Sequence, residues 1–314
     1  MNNVFPMASI LKHAHNNGYA VGSFSPRSTL LIEPIIIAAM QMNSPLLIQI
    51  SEKELLRHEI TLGDFSKRFY DVVEQLNPQI PIGLHLDHTS DIAIIKEAIA
   101  CKFTSVMIDA SRHCFEENLS TTKEVVSLAK PAGVSVEAEL GRIGTTDMVE
   151  TTEDITQLTD SNEAYSFILQ SNIDALAVSV GTSHGPYVTS QPKIVYSIIE
   201  QINALTDTPL VLHGGSGVPP QMLIRAISMN NGGISKVNIA TDLEVAATQA
   251  LCLEGHLKDS EYLSLDSKAQ RIAKNAVQAL VADKIVNFLL SNNQGSNSLT
   301  FIQSTNSIVY DKFS

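Results

Sequence analysis

The sequence predicts an α/β fold, a (β/α)8 TIM barrel followed by extra C-terminal helices. Three observations lead to this prediction. Short apolar and β-branched runs recur eight times, amphipathic stretches of helical length separate them, and polar residues collect where the runs end. Strands that alternate with helices indicate βαβ units and a parallel sheet, and eight such units in about 250 residues match the size of this barrel.

The eight predicted strands are rich in apolar residues, as expected of strands buried on both faces. They cover residues 19–25, 45–51, 81–87, 104–109, 134–140, 174–181, 209–214 and 235–241. Helices are predicted between them, for example at 91–101 and 118–130, and again after the last strand at 242–253 and 267–290. An open, doubly wound sheet is the alternative, because periodicity alone does not separate the two folds.

Residues 1–290 are predicted to form one barrel domain that includes the C-terminal helices. The segment 291–298, SNNQGSNS, is rich in Ser, Asn and Gly and is typical of a flexible linker. We therefore expect residues 291–314 to be a flexible linker and tail, which either frays or docks on a neighbouring chain.

The composition is that of a folded, acidic protein, with 44% hydrophobic residues and a net charge of −12. This charge, with only 5% aromatic residues and no Trp, argues against a nucleic-acid partner. Three cysteines do not form a disulfide framework, so a reducing cytoplasm is the expected location. The N-terminus shows no signal-peptide pattern, and no apolar run is long enough for a membrane span, so no membrane association is expected.

Polar and catalytic residue types cluster at the ends of the predicted strands, except Glu137 and Glu139, which lie within the fifth. The segments are HLDH (85–88), Glu137 and Glu139, GTSHG (181–185), HGGSG (213–217) and NIATD (238–242). The carboxyl ends of all barrel strands converge on one mouth, where the active site of this fold lies.

Three histidines, His88, His184 and His213, follow three different predicted strands. Three protein ligands with one open position describe a catalytic zinc site. The alternative is three unrelated histidines that cap loops, since a single histidine usually has a structural role.

The glycine-rich segment HGGSGVPP at 213–220 fits a phosphate. Its glycines let backbone N–H groups approach an anion, and the two prolines suit the first turn of a helix. Thr241 and Asp242 resemble the start of a further helix. The alternative is an ordinary tight turn, because neither the Walker A nor the dinucleotide-binding pattern is present.

The chain resembles the class II, metal-dependent ketose-bisphosphate aldolases, the group of fructose- and tagatose-bisphosphate aldolases. The similarity runs from about residue 5 to about residue 290. It is carried by HLDH (85–88), FTSVMIDAS (103–111), ENLSTTKEVV (117–126), GVSVEAELGRIG (133–144), DALAVSVGTSHGPY (174–187), PLVLHGGSGVP (209–219) and KVNIATDL (236–243).

The resemblance implies a barrel that assembles as a homodimer or homotetramer and binds zinc on His88, His184 and His213. It implies that Asp87 exchanges a proton with the substrate oxygen on the aldehyde side, and that Asp147 stands for a loop acid that moves a proton at the triose carbon. The substrates would be dihydroxyacetone phosphate and an aldehyde, with a monovalent cation (Na⁺ or K⁺) close by. The residues implied to bind substrate are Ser51, Gly185, Gly214, Gly215, Ser216, Asn238, Ile239, Ala240 and Thr241.

The chain departs from the family pattern mainly where the family handles the aldehyde half. Ser25 replaces an asparagine and Thr89 replaces a glycine. Lys53 and Glu54 replace small residues, and Glu54 would repel a second phosphate if it faces the mouth. The mobile loop reads Gly-Thr-Thr-Asp at 144–147 instead of beginning with two glycines, and Asp-Ser-Lys at 266–268 replaces Asp-Pro-Arg.

The leading hypothesis is a zinc-dependent aldolase (a C–C lyase) that acts next to dihydroxyacetone phosphate on a ketose 1,6-bisphosphate or related ketose 1-phosphate. A Schiff-base aldolase that uses Lys236 is an alternative enzyme. A non-catalytic barrel that serves as the partner subunit of an aldolase is the alternative of a different class.

Overall fold

The computed structural model describes residues 3–145, 157–185, 192–230 and 232–311. Eight parallel strands close into a barrel, which confirms the predicted fold and excludes the open sheet. The barrel strands are β1 (Val21–Phe24), β2 (Leu46–Ser51), β3 (Ile82–Thr89), β4 (Ser105–Ile108), β5 (Ser135–Leu140), β6 (Ala175–Val178), β7 (Leu210–Leu212) and β8 (Ile234–Ile239). Each lies within or overlaps one of the eight predicted runs.

The strands follow one another around the barrel in chain order, and β8 pairs with β1 to close it. This closure brings the carboxyl ends of β8, β1 and β2 side by side. A two-residue parallel pairing of Gly144–Thr145 with Ser183–His184 lies outside the barrel, after β5 and β6.

Helices surround the barrel. They are α1 (Met7–Asn17), α2 (Ile32–Gln41), α3 (Glu52–His58), α4 (Leu62–Leu76), α5 (Ile92–Ala100), α6 (Phe115–Ala129), α7 (Ser161–Ser171), α8 (Tyr196–Asn203), α9 (Pro220–Ile227), α10 (Thr241–Ala250), α11 (Asp259–Ser264), α12 (Ser267–Asn287) and α13 (Gly295–Asp311). Side chains that accept a backbone N–H fix several starts, such as Asp91 before α5 and Asp266 before α12. No helix in the described ranges has both the length and the apolar character needed to cross a bilayer.

The C-terminal segment differs from the predicted flexible linker and tail, because Gly295–Asp311 is helical. The start of this segment is anchored next to β2: Ser44 Oγ donates to Ser291 Oγ at 2.8 Å, and the Gly295 N–H donates to the Asn43 carbonyl at 2.6 Å. Ile302 is buried in an apolar cluster with residues of α1. Composition misled the prediction because these polar residues bond to the protein rather than to water.

The barrel interior is polar towards the carboxyl ends of the strands. Lys236 on β8 reaches Glu137 on β5, with Nζ 2.7 Å from Oε2, although β6 and β7 separate these strands in the barrel wall. Asn238 on β8 likewise reaches Asp87 on β3. These contacts cross the interior, so the side chains point inward beneath the mouth.

Candidate active site

A β-bulge shapes the end of β3. Its register with β4 shifts between Leu86 and Thr89, and His88 adopts φ +23°, which is uncommon for a residue with a side chain. Such conformations persist where the surrounding structure holds them, often at functional sites. The bulge brings the His88 ring to 4.4 Å from the His213 ring, centroid to centroid, while Asp109 Oδ2 lies 3.0 Å from His88 Nδ1.

His213 follows β7 and is buried between two carboxylates of β5. Its Nε2 lies 3.0 Å from Glu137 Oε1, and its Nδ1 lies 3.4 Å from Glu139 Oε2. An ionised carboxylate can only accept a hydrogen bond, so Nε2 donates to Glu137. A metal held by His213 would therefore be bound through Nδ1, on the side of Glu139.

Asp87, His88 and His213 bring one ligand atom each within 4.8 Å of one another. His88, Asp109 and Glu139 form a second group of the same size. Oε2 of Glu139 is buried and accepts no hydrogen bond from the described residues. Nitrogen and carboxylate donors in such an arrangement suit a divalent transition metal, so these residues fit a metal ion.

The structure thus brings together two of the three histidines that the sequence predicts as metal ligands. The backbone of His184 lies in the two-residue strand beside Thr145. Its side chain lies outside the described part of the structure, as does the whole of the predicted loop acid Asp147.

The site carries concentrated negative charge. Burial lowers the pKa of His88, but the carboxylates of Asp87, Asp109 and Glu139 raise it to about 10. Burial raises the pKa of Asp87, yet His88 and His85 bring it well below its usual range. Buried carboxylates that stay ionised beside histidines attract a cation, so the charge pattern agrees with a metal site.

Asp87 is fixed by two amide groups. Gln49 Nε2 donates to its Oδ2 at 3.0 Å, and Asn238 Nδ2 donates to its Oδ1 at 3.0 Å. Ser23 in turn donates to the Gln49 side-chain carbonyl. Asp87 is 5% exposed, and its carboxylate is held in one orientation at the edge of the mouth.

The predicted phosphate segment shows close backbone approaches. Gly214 has φ +67°, and a Cβ there would lie 2.2 Å from the Ser183 carbonyl oxygen, so glycine is required. The Gly215 N–H donates to the Asn238 carbonyl at 3.2 Å and thereby joins the loops after β7 and β8. That N–H is engaged within the protein, which differs from the expectation that it faces an anion. Gly185 follows the two-residue strand with φ +89°.

The other predicted phosphate residues surround the start of α10. Ser216 Oγ accepts a hydrogen bond from the Asp242 N–H at 3.3 Å. Ala240 is the N-cap residue and Thr241 the first helical residue, and Ala240 itself offers no capping side chain. The Ile239 carbonyl accepts from the Ser25 N–H at 3.0 Å. A helix N-terminus therefore faces the glycine loop, an arrangement that favours anions.

Ser51 and Glu54 differ from their predicted surroundings. Ser51 is the N-cap of α3 and shares a capping box with Glu54, so its hydroxyl is already used. Glu54 is buried and ion-paired with Arg27, 2.7 Å from Oε1 to Nε. The expected repulsion from Glu54 assumed an unpaired charge that faces the mouth, whereas the Glu54 carboxylate is ion-paired with Arg27.

Sequence reasoning missed three of these residues. Asp109 stands at the end of a predicted strand, which is a usable signal. Gln49 and Arg27 gave no signal, because an amide within a strand and an arginine after one have many ordinary roles. The sequence suggests Lys236 only as a Schiff-base lysine. It is fully buried and held by Glu137, so its amine is not presented to the mouth.

The comparisons with known proteins agree with this geometry. The family described as "Fructose-bisphosphate aldolase class-II" matches residues 5–294. The chain belongs to the class II fructose-bisphosphate aldolase family. It is therefore an aldolase, a lyase of carbohydrate metabolism, and its family acts on phosphorylated sugars.

Two curated relatives and one solved structure are similar to this aldolase over most of its length. A fructose-bisphosphate aldolase of Staphylococcus aureus is 36% identical over 286 residues, which are 91% of this chain and 97% of that protein. A sulfofructosephosphate aldolase of Alkalicoccus urumqiensis is 38% identical over 249 residues, 78% of this chain and 84% of that protein. The crystal structure of the YdjI aldolase of Escherichia coli K12 superposes with a TM-score of 0.78 at 28% identity, covering 93% and 99% of the two chains.

Proposed function

We propose that this aldolase is zinc-dependent and makes or cleaves the carbon–carbon bond next to dihydroxyacetone phosphate. The observation that carries the proposal is the group of Asp87, His88 and His213, whose ligand atoms lie within 4.8 Å of one another beside the glycine loop. The chain keeps the three histidines and the acid Asp87, which favours a catalytic aldolase over a non-catalytic partner subunit.

His88 and His213 would hold the zinc, together with His184 as the family resemblance implies. When bound, zinc supplies a Lewis acid that stabilises negative charge at the ketone oxygen. The protein's own part is to fix the ligands. Glu137 orients His213 through Nε2, and Asp109 orients His88 through Nδ1.

Asp87 is proposed to exchange a proton with the oxygen of the bond that is made or cleaved. It is ionised, oriented by Gln49 and Asn238, and beside His88. A positioned carboxylate of this kind contributes general acid–base catalysis. Asp147 is proposed as the carrier of the triose carbon's proton, and this role rests on the resemblance alone.

The phosphate of the triose is proposed to bind at the N-terminus of α10, between the loops after β7 and β8. The residues proposed are Gly185, Gly214, Gly215, Ser216, Asn238, Ile239, Ala240 and Thr241. Phosphate sites at this place recur in TIM barrels, and a helix N-terminus supplies unpaired N–H groups. Within this set, Gly215 joins the two loops, because its N–H donates to the Asn238 carbonyl. Ser51, also implied to bind substrate, is proposed to contribute to the site as the N-cap of α3.

The second phosphate of a bisphosphate is proposed to be recognised poorly. Lys268 stands where the family has an arginine, and a lysine lacks the planar fork that grips phosphate. Arg27, the arginine that follows β1, is already paired with two carboxylates and offers no net positive charge. One curated relative is named a sulfofructosephosphate aldolase, a name that describes a substrate other than a bisphosphate, and this supports the proposal. We therefore expect an aldehyde other than glyceraldehyde 3-phosphate.

Assembly as a homodimer or homotetramer, a nearby Na⁺ or K⁺, and a cytoplasmic location belong to the same proposal. They rest on the family resemblance and on the composition.

A panel of aldehydes incubated with dihydroxyacetone phosphate and the zinc-loaded protein tests the proposal. Condensation with at least one aldehyde is expected. For the cleavage direction, kcat/KM for fructose and tagatose 1,6-bisphosphate is compared with that for ketose 1-phosphates. A preference for a bisphosphate of about 10³ or more would contradict the weak distal site. Absence of condensation with every aldehyde would contradict the aldol chemistry.

A further inference from the structure

We infer that Arg27 is a positioning residue that locks together three segments of the mouth and thereby shapes the triose-phosphate site. The effect on substrate binding rests on the proposed function, whereas the bridge between the segments does not. The three segments follow β8, β1 and β2, which are neighbours in the barrel wall.

Arg27 bridges two carboxylates that come from different segments. Its Nε donates to Glu54 Oε1 at 2.7 Å, and its Nη1 donates to Glu244 Oε2. All three side chains are nearly buried, between 4% and 10% exposed. Arg27 also has φ +54°, a backbone conformation that costs energy for a residue with a side chain. In this conformation the guanidinium lies between the two carboxylates.

Glu54 extends the bridge to the ends of β1 and β2. Its Oε2 accepts from the Ser25 hydroxyl at 2.6 Å and from the Ser51 N–H at 3.0 Å. One carboxylate therefore holds the residue after β1, the last residue of β2 and Arg27.

Glu244 extends the bridge to the proposed phosphate site. It lies in the first turn of α10, whose N-terminus follows Asn238 and Ile239. Its other oxygen contacts His256 Nδ1 at 2.5 Å. The Ser25 N–H also donates to the Ile239 carbonyl, so the β1 segment touches the phosphate segment twice, directly and through Arg27.

The geometry of this bridge suits an arginine better than a lysine. Its planar guanidinium donates in two directions at once, whereas a lysine is a single point charge. Without a cation, two buried carboxylates would face each other and one segment would move away. Because α10 carries Glu244, that movement would displace the helix N-terminus from the phosphate.

The test compares Arg27→Lys and Arg27→Met with the wild type. Lys274→Met is the matched control, because Lys274 forms an ion pair with Glu33 at 2.6 Å between α12 and α2. Hydrogen exchange is measured by mass spectrometry on peptides that cover 238–250 and 49–58. Both Arg27 variants should exchange faster in both peptides, while the control exchanges as the wild type does.

Kinetics on the zinc-loaded proteins give the second readout. Arg27→Lys should raise KM for dihydroxyacetone phosphate by about tenfold, with kcat within about threefold of the wild type and unchanged zinc content. General destabilisation would instead lower the active fraction and leave KM alone. Unchanged exchange in Arg27→Lys would overturn the inference. Faster exchange with an unchanged KM would overturn its link to the substrate site. A wild-type protein without aldol activity would contradict the proposed function. The hydrogen-exchange comparison would still show whether Arg27 holds the segments together.

Discussion

Lys236 and Glu137 form a fully buried ion pair inside the barrel, with Nζ 2.7 Å from Oε2, and the other oxygen of Glu137 holds His213. The chain Lys236–Glu137–His213 thus runs from β8 across the interior to the end of β7. Burial raises the pKa of Glu137, but Lys236 and His213 lower it to about 2, so Glu137 stays ionised. An ionised Glu137 keeps a proton of His213 on Nε2, so a metal held by His213 would be bound through Nδ1.

Replacing Lys236 with methionine should weaken zinc binding by about 10- to 100-fold, because orienting groups behind a ligand histidine have effects of this size. Without the ammonium, Glu137 would be a buried charge with less compensation, and its pKa would rise. A protonated Glu137 no longer requires the proton on His213 Nε2. Competition with a chromogenic chelator measures the zinc affinity.

Lys274→Met again serves as the control, since it removes an ion pair outside the barrel. Its zinc affinity should equal that of the wild type. Equal affinities for Lys236→Met and the wild type would show that the buried pair does not orient the ligand. Borohydride treatment with dihydroxyacetone phosphate should leave Lys236 unmodified, because its amine is engaged by Glu137.

Asp87→Asn should retain zinc and lower turnover by about 10² or more, because the amide cannot exchange the proton. The substitution preserves the shape of the side chain, although Gln49 and Asn238 would then face an amide. Metal analysis and steady-state kinetics on the same preparation separate the two effects. Near-normal turnover with zinc bound would assign the proton to another group.

Ser216→Ala and Thr241→Ala should each weaken the binding of dihydroxyacetone phosphate by about 1 to 2 kcal/mol. Ser216 also accepts from the Asp242 N–H, so its loss affects the start of α10 as well. Calorimetric titration of the zinc-loaded protein measures the change. Ser228→Ala, which removes a hydroxyl bonded only to its own helix α9, is a suitable control. Affinities equal to that of the wild type would show that the phosphate binds elsewhere.

The ion pair between Arg27 and Glu244 should make part of the stability depend on pH. Burial raises the pKa of Glu244, but Arg27 lowers it further, so the folded pKa lies below the usual value. A depressed carboxyl pKa gives stability that is present above the unfolded pKa of about 4.3 and is lost as pH falls through the folded pKa. The unfolding free-energy difference between wild type and Glu244→Gln should therefore be largest near neutral pH and shrink below about pH 4. Urea unfolding at several pH values measures it, and a difference that grows with acid would refute the assignment.

The barrel was predictable because its pattern is repeated. Eight apolar runs with helical spacers allow few folds, and the polar residues after them had to meet at one mouth. His88, His213 and Asp87 could therefore be placed together from the sequence. Ser51 shows the limit, because its hydroxyl serves as the cap of α3 rather than as a free group.

The unpredicted parts depend on contacts between distant residues. Arg27 and Glu244 are 217 positions apart, and nothing in either local sequence indicates the partner. Glu54 was expected to repel a phosphate because its charge was visible and its pairing was not. The helix Gly295–Asp311 was missed for the same reason, since Ser291 and Asn293 before it bond to Ser44 and Met42.

Metal dependence of the aldol reaction tests the central claim most directly. The protein is dialysed against a chelator, assayed with dihydroxyacetone phosphate and an accepted aldehyde, and assayed again after zinc is restored. We predict about one zinc per chain before dialysis, loss of activity with the metal, and recovery on adding zinc. Full activity in protein shown to contain no metal would contradict the account.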